Sequence, residues 1–422
     1  MSRYSNPYSN PHNIKKELDD YVQGQGQGTL KIAMAISQHL LQSQYASDSP
    51  TDSVLLIGPT GCGKTETFRC LQRLERRLKC PVLMANVLDY AATNSWQGCS
   101  ITDIFTQIFQ RAATLYYSLY DDDNDDESPE EQKSNIIKIA NRAIVLLDEA
   151  DKISLGGEGK SLQFLKEYQS NLLKIVEGNT YPISDFSGKR TISDVGPDGE
   201  PIVEKEDIHL TNISLDTTHM LFILLGAFDG LEEITRNRLE REQLAKELKQ
   251  TPHHTLYQDT MIGFMIKPHN NIEQKPISFT YEQLIPSTED IVEYGFLREL
   301  VGRLPIRTVY KPLSENVLVD ILLHCRTSAY RDYQRKFHLI GQDLRCDRAA
   351  LKEIARIAIE RGNGARGLRS VFSELLSETW YNLADSTHTV RCLLRGREIK
   401  DHKPPLLHVQ KNNQPNRKKR LS

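Results

Sequence analysis

The feature that most constrains this chain of 422 residues is a short apolar run that leads directly into a glycine-rich loop. Residues 54–57 predict a buried strand, and residues 58–65 match the pattern G-x-x-x-x-G-K-[ST]. Glycines let such a loop wrap until successive backbone N–H groups point at phosphate oxygens, and the following helix adds its positive N-terminal end. The sequence therefore predicts a phosphate loop made of Gly58, Pro59, Thr60, Gly61, Cys62, Gly63, Lys64 and Thr65.

Four side chains have expected roles in binding and hydrolysing a nucleoside triphosphate. Lys64 reaches the β- and γ-phosphates, and Thr65 offers its hydroxyl to Mg²⁺. A second apolar run, residues 143–147, ends in Asp148 and Glu149. We expect Asp148 to hold Mg²⁺, directly or through water, and Glu149 to polarise the water that attacks the γ-phosphate. Without a phosphate loop such a pair is usually a helix N-cap, so the loop favours the catalytic interpretation.

The spacing of apolar runs indicates the fold class. Residues 54–57, 143–147 and 220–225 each predict a buried strand, and residues 81–84 are a weaker candidate. Because helical stretches separate these strands, they imply βαβ crossovers and an α/β core with a doubly wound parallel sheet.

A small, mainly helical domain is predicted after the core, because apolar residues there recur at helical spacing. Its expected helices span residues 317–337, 348–361 and 368–383. The predicted organisation is a disordered N-terminal segment (1–13), the large α/β domain (14–312), the small helical domain (313–400) and a disordered basic tail (401–422).

Composition and charge exclude several classes of protein. With 39% hydrophobic and 26% charged residues, the chain is neither a fibre nor wholly disordered. Its formal net charge of -3 gives no global attraction for nucleic acid, and no stretch approaches the roughly 18 apolar residues of a membrane span. The seven cysteines form no CxxC pair, so we expect neither zinc nor a disulfide framework, and the cytoplasm is the expected compartment.

Several polar segments are predicted to lie at the surface. The acidic run 121–127 favours a solvated loop over a cation site, because no EF-hand spacing follows it. Residues 184–212 and 251–276 have the character of insertions or mobile loops. The basic run 417–420 is a solvated end or, alternatively, a binding patch.

Hydrolysis also needs positive charge where the transition state builds negative charge, and arginine suits this because it stays protonated. Arg303, in Gly-Arg-Leu-Pro, and Arg366, in Gly-Ala-Arg-Gly, are the two candidates. From spacing alone, either could be a surface salt-bridge residue, which is the commoner fate of an arginine.

Taken in order, these motifs resemble the ClpX family of AAA+ protein unfoldases over roughly residues 12–398. The similar segments are residues 18–25, 58–65, 147–154, 172–178, 226–228, 294–305 and 362–370. The resemblance implies an AAA+ P-loop NTPase that binds ATP and Mg²⁺, with adenine surrounded by backbone around Val22. It also implies that Arg303 is an arginine finger in the neighbouring subunit's nucleotide site and that Arg366 contacts nucleotide in its own subunit.

The resemblance further implies how the ATP is used. Members of the family form rings, expected here to be homohexameric, which unfold tagged or unfolded protein substrates and feed them to a ClpP-like peptidase. Trp96 stands where the family has an aromatic pore loop and would grip substrate, with a partly buried surface tryptophan as the alternative. Ile262, Gly263 and Phe264 are similar to the tripeptide that docks on the peptidase, with a hairpin folded on its own apolar residues as the alternative.

The sequence also departs from the family's pattern. No match to its zinc module with four cysteines is found, which puts substrate selection by such a module in doubt. Leu224 or Leu225 occupies the sensor-1 position, so no polar sensor is assigned there. Lys189 and Arg190 stand where the family carries a basic loop that contacts substrate.

Three other functions are alternatives to a peptidase-linked unfoldase. An AAA+ motor acting on nucleic acid would need a basic interior or a DNA-binding module, and neither is visible, so we expect neither nucleic acid nor a membrane as partner. A remodelling chaperone without a peptidase is the second alternative. A scaffold that uses ATP only as a switch is the third, and the complete set of catalytic side chains argues against it.

Overall fold

The computed structural model describes residues 6–44, 49–88, 101–120, 128–155, 162–183, 186–195, 201–250, 279–386 and 388–409. A large α/β unit, ending with a strand at Ile306–Val309, is followed by a smaller unit that begins with a helix at Glu315–His324. The smaller unit has a hydrophobic core of its own, separate from the two that cover the central sheet.

The large unit contains these helices and strands within the described ranges: α1 (Pro11–Tyr21), α2 (Gly26–Gln44), β1 (Val54–Ile57), α3 (Lys64–Leu78), β2 (Val82–Asn86), α4 (Ile101–Tyr120), α5 (Pro129–Ala140), β3 (Ile144–Asp148), α6 (Leu162–Glu177), β4 (Thr180–Ile183), β5 (Phe186–Val195), β6 (Pro201–Leu210), β7 (Ile213–Asp216), β8 (Leu221–Gly226), α7 (Leu231–Gln250), α8 (Thr288–Tyr294), α9 (Arg298–Gly302) and β9 (Ile306–Val309). Short 3₁₀ turns occupy Pro7–Ser9 and Ala150–Ile153.

The central sheet confirms the predicted fold class. Its strand order in the described part of the chain is β2-β3-β8-β1-β9, and every pairing is parallel. The weaker candidate at 81–84 is the edge strand β2, whereas β9 was not predicted. Since β8 lies between β1 and β3, the phosphate loop and the Asp148–Glu149 pair are separated by one strand at the same edge.

Alternate residues of the central strands pack on opposite faces, as a sheet covered on both sides requires. On one face Leu55, Val145 and Phe222 belong to a core with α4, α5 and α6. On the other face Val54 and Ile223 belong to a core with α1, α2 and α3. Within the described ranges, no helix is both long enough and apolar enough to cross a bilayer.

The small unit is helical with a three-stranded sheet that was not predicted. Its elements are α10 (Glu315–His324), α11 (Ala329–Leu339), β10 (Asp343–Cys346), α12 (Arg348–Glu360), α13 (Gly364–Leu383), β11 (Val390–Leu394), α14 (Gly396–Lys400) and β12 (Leu406–Val409). The single helix predicted at 317–337 is wrong, because Cys325 is extended and the Ser328 hydroxyl caps a new helix by accepting the Arg331 N–H.

The predicted disordered ends are wrong for the residues that the structure describes. Pro7–Ser9 forms a turn and α1 begins at Pro11, where Asn10 is the N-cap, so residues 6–13 are folded. At the other end, β12 pairs antiparallel with β11. Ordered structure therefore extends through residue 409 instead of ending at 400.

The insertion predicted at 184–212 contains a long antiparallel hairpin. Strands β5 and β6 pair over their full lengths, from Phe186↔Leu210 to Val195↔Pro201. Lys189 and Arg190 lie in β5, opposite Asp207 and Glu206.

Candidate nucleotide site

The phosphate loop lines a cleft between the two units. The cleft has a volume of about 940 Å³ and is lined by both units, including Val22, Lys64 and Thr65 from the large unit and Arg326 and Arg366 from the small one. A nucleotide bound to this loop would therefore contact both units.

Glycines are required in the loop for two separate reasons. Gly61 and Gly63 have φ values of +79° and +111°, which side chains disfavour. A Cβ on Gly58 would lie 2.9 Å from the Tyr310 carbonyl oxygen, and one on Gly61 would lie 2.4 Å from that of Asn363. The loop is therefore packed against the end of β9 on one side and the small unit on the other.

Three consecutive carbonyls of the loop are held by donors from three different segments. The Ala365 N–H donates to Gly61 O at 3.1 Å, the Gln25 side chain to Cys62 O at 3.2 Å and the Thr67 N–H to Gly63 O at 3.0 Å. A trans peptide directs its C=O and the next N–H to opposite sides. The N–H groups of residues 62–64 are consequently turned the other way, as an anion-binding nest requires.

Gln25 was not predicted as a site residue beyond its place in the matching segment 18–25. Its buried side chain also donates to Lys311 O at 2.7 Å and accepts the Lys311 N–H at 2.9 Å. Lys311 precedes the first helix of the small unit. Gln25 thus ties the phosphate loop to the segment that connects the two units, a relation that sequence spacing did not reveal.

Lys64 opens α3 and lies across the loop, where its Nζ donates to the carbonyls of Gly58 and Pro59, the latter at 3.0 Å. Val22 is buried, and its Cγ1 lies 3.1 Å from where a Cβ of Gly63 would stand. The predicted adenine-side residue and the loop are therefore in contact.

The acidic pair lies at the end of β3. Glu149 has a left-handed backbone (φ 58°, ψ 32°), an uncommon conformation for a residue with a side chain and one that recurs at functional sites. Its N–H donates to Asp148 Oδ1 at 2.9 Å, and Asn86 Nδ2 donates to Glu149 Oε2 at 2.8 Å. Asn86 was not predicted, although its position at the end of β2, in register with Asp148, places it at the same edge.

The two candidate arginines lie in different places. Arg366, in the first turn of α13, donates from Nη2 to Thr65 Oγ1 at 3.2 Å. Arg303 caps α9, is absent from the residues lining the cleft, and pairs with Glu177 Oε1 at 3.0 Å. Both partners of that pair are partly exposed, as expected of side chains at a surface. The structure therefore brings Arg366, but not Arg303, to this chain's own phosphate loop.

Thr65 and Asp148 supply a hydroxyl and a carboxylate, the oxygen ligands that Mg²⁺ takes when phosphates complete its coordination. A dense cluster is not needed for such a site, and none of three or more His, Cys, Asp or Glu side chains occurs in the described ranges. Trp96, Ile262, Gly263 and Phe264 lie outside the residues that the structure describes.

Comparison with known proteins supports the same assignment. The family model described as AAA domain (Cdc48 subfamily) matches residues 49–307, which contain the phosphate loop, the acidic pair and Arg303. The ATP-dependent Clp protease ATP-binding subunit ClpX of Treponema denticola is 28% identical over 379 residues, or 88% of this chain and 76% of the relative. The chain belongs to the AAA domain family and is a ClpX-like AAA+ ATPase that binds nucleotide and Mg²⁺.

Proposed function

We propose that this chain is an ATP-driven protein unfoldase that works in a ring and delivers polypeptides to a ClpP-like peptidase. The observation that carries the proposal is the direct contact between the phosphate loop and the small unit, through Ala365 N–H to Gly61 O and Arg366 to Thr65. We expect a change in the phosphates held by the loop to alter this contact. ATP turnover would therefore move one unit against the other, which is what a mechanical motor needs.

The chemistry assigned to each residue follows from its position. The backbone N–H groups of the loop and Lys64 hold the phosphates, while Thr65 and Asp148 would hold Mg²⁺, which neutralises charge on the β- and γ-phosphates. Glu149 orients the attacking water, and Asn86 fixes its carboxylate.

Arg303 is proposed to complete the neighbouring subunit's site. It is a partly exposed arginine at the end of a short helix, away from its own cleft, so it is free to face a second copy of the chain. An arginine delivered by a partner stabilises the transition state of phosphoryl transfer. A ring, expected to be a hexamer, supplies each site with such a neighbour.

Substrate and peptidase contacts are assigned to two loops on the basis of the resemblance. Trp96 would pull on the polypeptide, and Ile262, Gly263 and Phe264 would dock on the peptidase. A contact that tolerates many substrate sequences needs an apolar side chain of large area, which tryptophan provides.

The test is the degradation of a tagged, stably folded fluorescent protein by the chain, ATP and ClpP. Fluorescence should be lost with the wild type and kept with Glu149→Gln. The Phe264→Ala variant should still unfold the fluorescent protein but no longer support its degradation. The Tyr257→Ala variant, an aromatic change in the same segment, should support both. If fluorescence persists while ATP is hydrolysed, the unfoldase proposal is wrong for this substrate, and stimulation of the ATPase by DNA would favour a nucleic-acid motor.

A further inference from the structure

A glutamine in the middle of α6 joins two parts of the molecule that are far apart in sequence. Gln169 is fully buried. Its Nε2 donates to Ile153 O at 2.8 Å and to Gly295 O at 2.9 Å, and its Oε1 accepts the Leu297 N–H at 2.6 Å. Both amide hydrogens and the amide oxygen are therefore used, as a buried polar side chain requires.

The partners of Gln169 belong to two functional segments. Ile153 ends the 3₁₀ turn that starts directly after Glu149. Gly295 is the C-cap of α8, and Leu297 is the N-cap of α9, the helix whose C-cap is Arg303. One side chain thus fixes the turn after the catalytic glutamate to the helix that carries the proposed arginine finger.

Neighbouring contacts reinforce this connection. The Leu155 N–H donates to Gly295 O at 2.9 Å, and the Ser154 hydroxyl donates to Tyr294 O at 3.0 Å. At the far end of the same helix α6, Glu177 pairs with Arg303 at 3.0 Å. Helix α6 therefore holds the segment that carries Arg303 at two points, one buried and one at the surface.

We propose that Gln169 is a positioning residue that keeps Arg303 in a fixed position relative to the turn that follows Glu149. The catalytic site of one subunit and the finger that the same subunit offers to its neighbour then move together. The inference rests on the proposed function, because it requires Arg303 to act on the neighbour's nucleotide. Loss of Gln169 should misplace the finger while leaving the phosphate loop intact.

The test uses rings mixed from two inactive chains. A finger donor carries Glu149→Gln and keeps Arg303, and an acceptor carries Arg303→Ala and keeps Glu149. Mixing them should restore ATP hydrolysis at interfaces where a donor faces an acceptor. Adding Gln169→Leu to the donor should lower the restored kcat by about tenfold or more without a matching rise in KM for ATP, since small misplacements of catalytic groups are costly. The same change in the acceptor should have far less effect.

A matched control separates positioning from a loss of stability. Gln342 is also buried and also bridges backbone groups, His388 O at 3.3 Å and the Val390 N–H at 2.6 Å, but in the small unit. Gln342→Leu in the donor should lower the melting temperature and leave the restored kcat unchanged. Gln169→Glu is a second variant. It keeps the oxygen that accepts the Leu297 N–H but loses the N–H groups that donate to two carbonyls, so it should also lower the restored kcat when it is placed in the finger donor.

The inference would be overturned if Gln169→Leu lowered the restored kcat equally in the finger donor and the acceptor, or did not lower it in the finger donor. Either result would leave the finger assignment in place. If the donor with Gln169 intact restores no activity, the finger in trans is itself wrong, and the inference fails with it. The two failures are distinguished by the unmodified mixture.

Discussion

Arg366 of the small unit and Thr65 of the large unit are joined by a hydrogen bond of 3.2 Å between Nη2 and Oγ1. Thr65 also carries the hydroxyl assigned to Mg²⁺. Mg²⁺ and the guanidinium are both positive, so we expect Mg²⁺ bound at this oxygen to weaken the contact that Arg366 makes. A guanidinium released from Thr65 lies beside the phosphate loop, where it can bond to phosphate oxygens instead. We expect this exchange to link the state of the nucleotide to the position of the small unit.

Arg366→Ala is expected to lower kcat/KM for ATP by about tenfold or more, because a charge-assisted contact to phosphate is lost. Arg361→Ala is the control, since Arg361 pairs with Glu374 at 2.8 Å outside the cleft lining and should leave hydrolysis unchanged. Steady-state ATPase rates measure both. Equal rates for the two variants would contradict the role given to Arg366.

Asn86→Ala is expected to lower kcat by about tenfold with KM for ATP little changed, since a hydrogen bond to a charged group is worth about 1.5–3 kcal/mol. The reason is that Asn86 holds the carboxylate of Glu149, which is proposed to act on water and not on nucleotide binding. Asn135→Ala, the same change at a partly buried asparagine on α5, serves as the control. A rise in KM without a fall in kcat would show that Asn86 acts on binding instead.

Gln25→Leu is expected to raise the KM for ATP by about tenfold, because a buried carbonyl that loses its donor costs about 1–3 kcal/mol. The Cys62–Gly63 peptide would no longer be held with its N–H toward the phosphates. Binding of ADP should weaken by a similar factor, whereas adenosine, which lacks phosphates, should bind as before. Titration of the three compounds checks this, and weaker adenosine binding would point to a general loss of structure. Gln342→Leu again provides the matched change.

His39 predicts a dependence of stability on pH. It is fully buried in α2, its Nε2–H donates to Arg142 O at 2.9 Å, and burial, with smaller effects of the positive Arg142 and of His219, lowers its pKa to about 4. In the unfolded chain the pKa is about 6.5. Because His39 takes up a proton more readily in the unfolded chain, its contribution to the free energy of unfolding is fully present above about pH 6.5 and is lost as the pH falls toward 4.

Lowering the pH from 7 to 5 should cost about 2 kcal/mol of unfolding free energy through this residue alone. In His39→Gln the amide keeps a donor for Arg142 O but cannot titrate, so its denaturation midpoint should fall less over the same range. Denaturant unfolding at both pH values measures the difference. Parallel losses in the two proteins would exclude His39 as the cause.

The sequence predicted the elements that local pattern determines. Strands β1, β3 and β8 are continuous apolar runs because both of their faces are covered, and the loop at 58–65 is recognisable from its glycines. It did not predict β9, whose burial is incomplete, or the position of β8 between β1 and β3. Strand order depends on pairings between distant segments, which local periodicity does not contain.

The site residues also divide into those that local motifs predict and those that depend on contacts between distant segments. Lys64, Asp148 and Glu149 follow from motifs, whereas Gln25, Asn86 and Gln169 act through hydrogen bonds to residues distant in sequence. Each is an amide side chain, a residue type common at surfaces and in loops, so composition gave no signal. Asn86 alone could have been found, from its place at the end of a predicted strand.

The place of β1 in the sheet also governs how the chain can fold as it is synthesised. Both neighbours of this strand, β8 and β9, come from later in the chain, the nearer of them ~160 residues on, which takes roughly 10–30 s to translate. Until then the apolar residues 54–57 lack both of their native strand partners, so a nascent chain stalled before residue 221 presents an aggregation-prone segment. Ribosome-bound chaperones would protect this chain most during that interval.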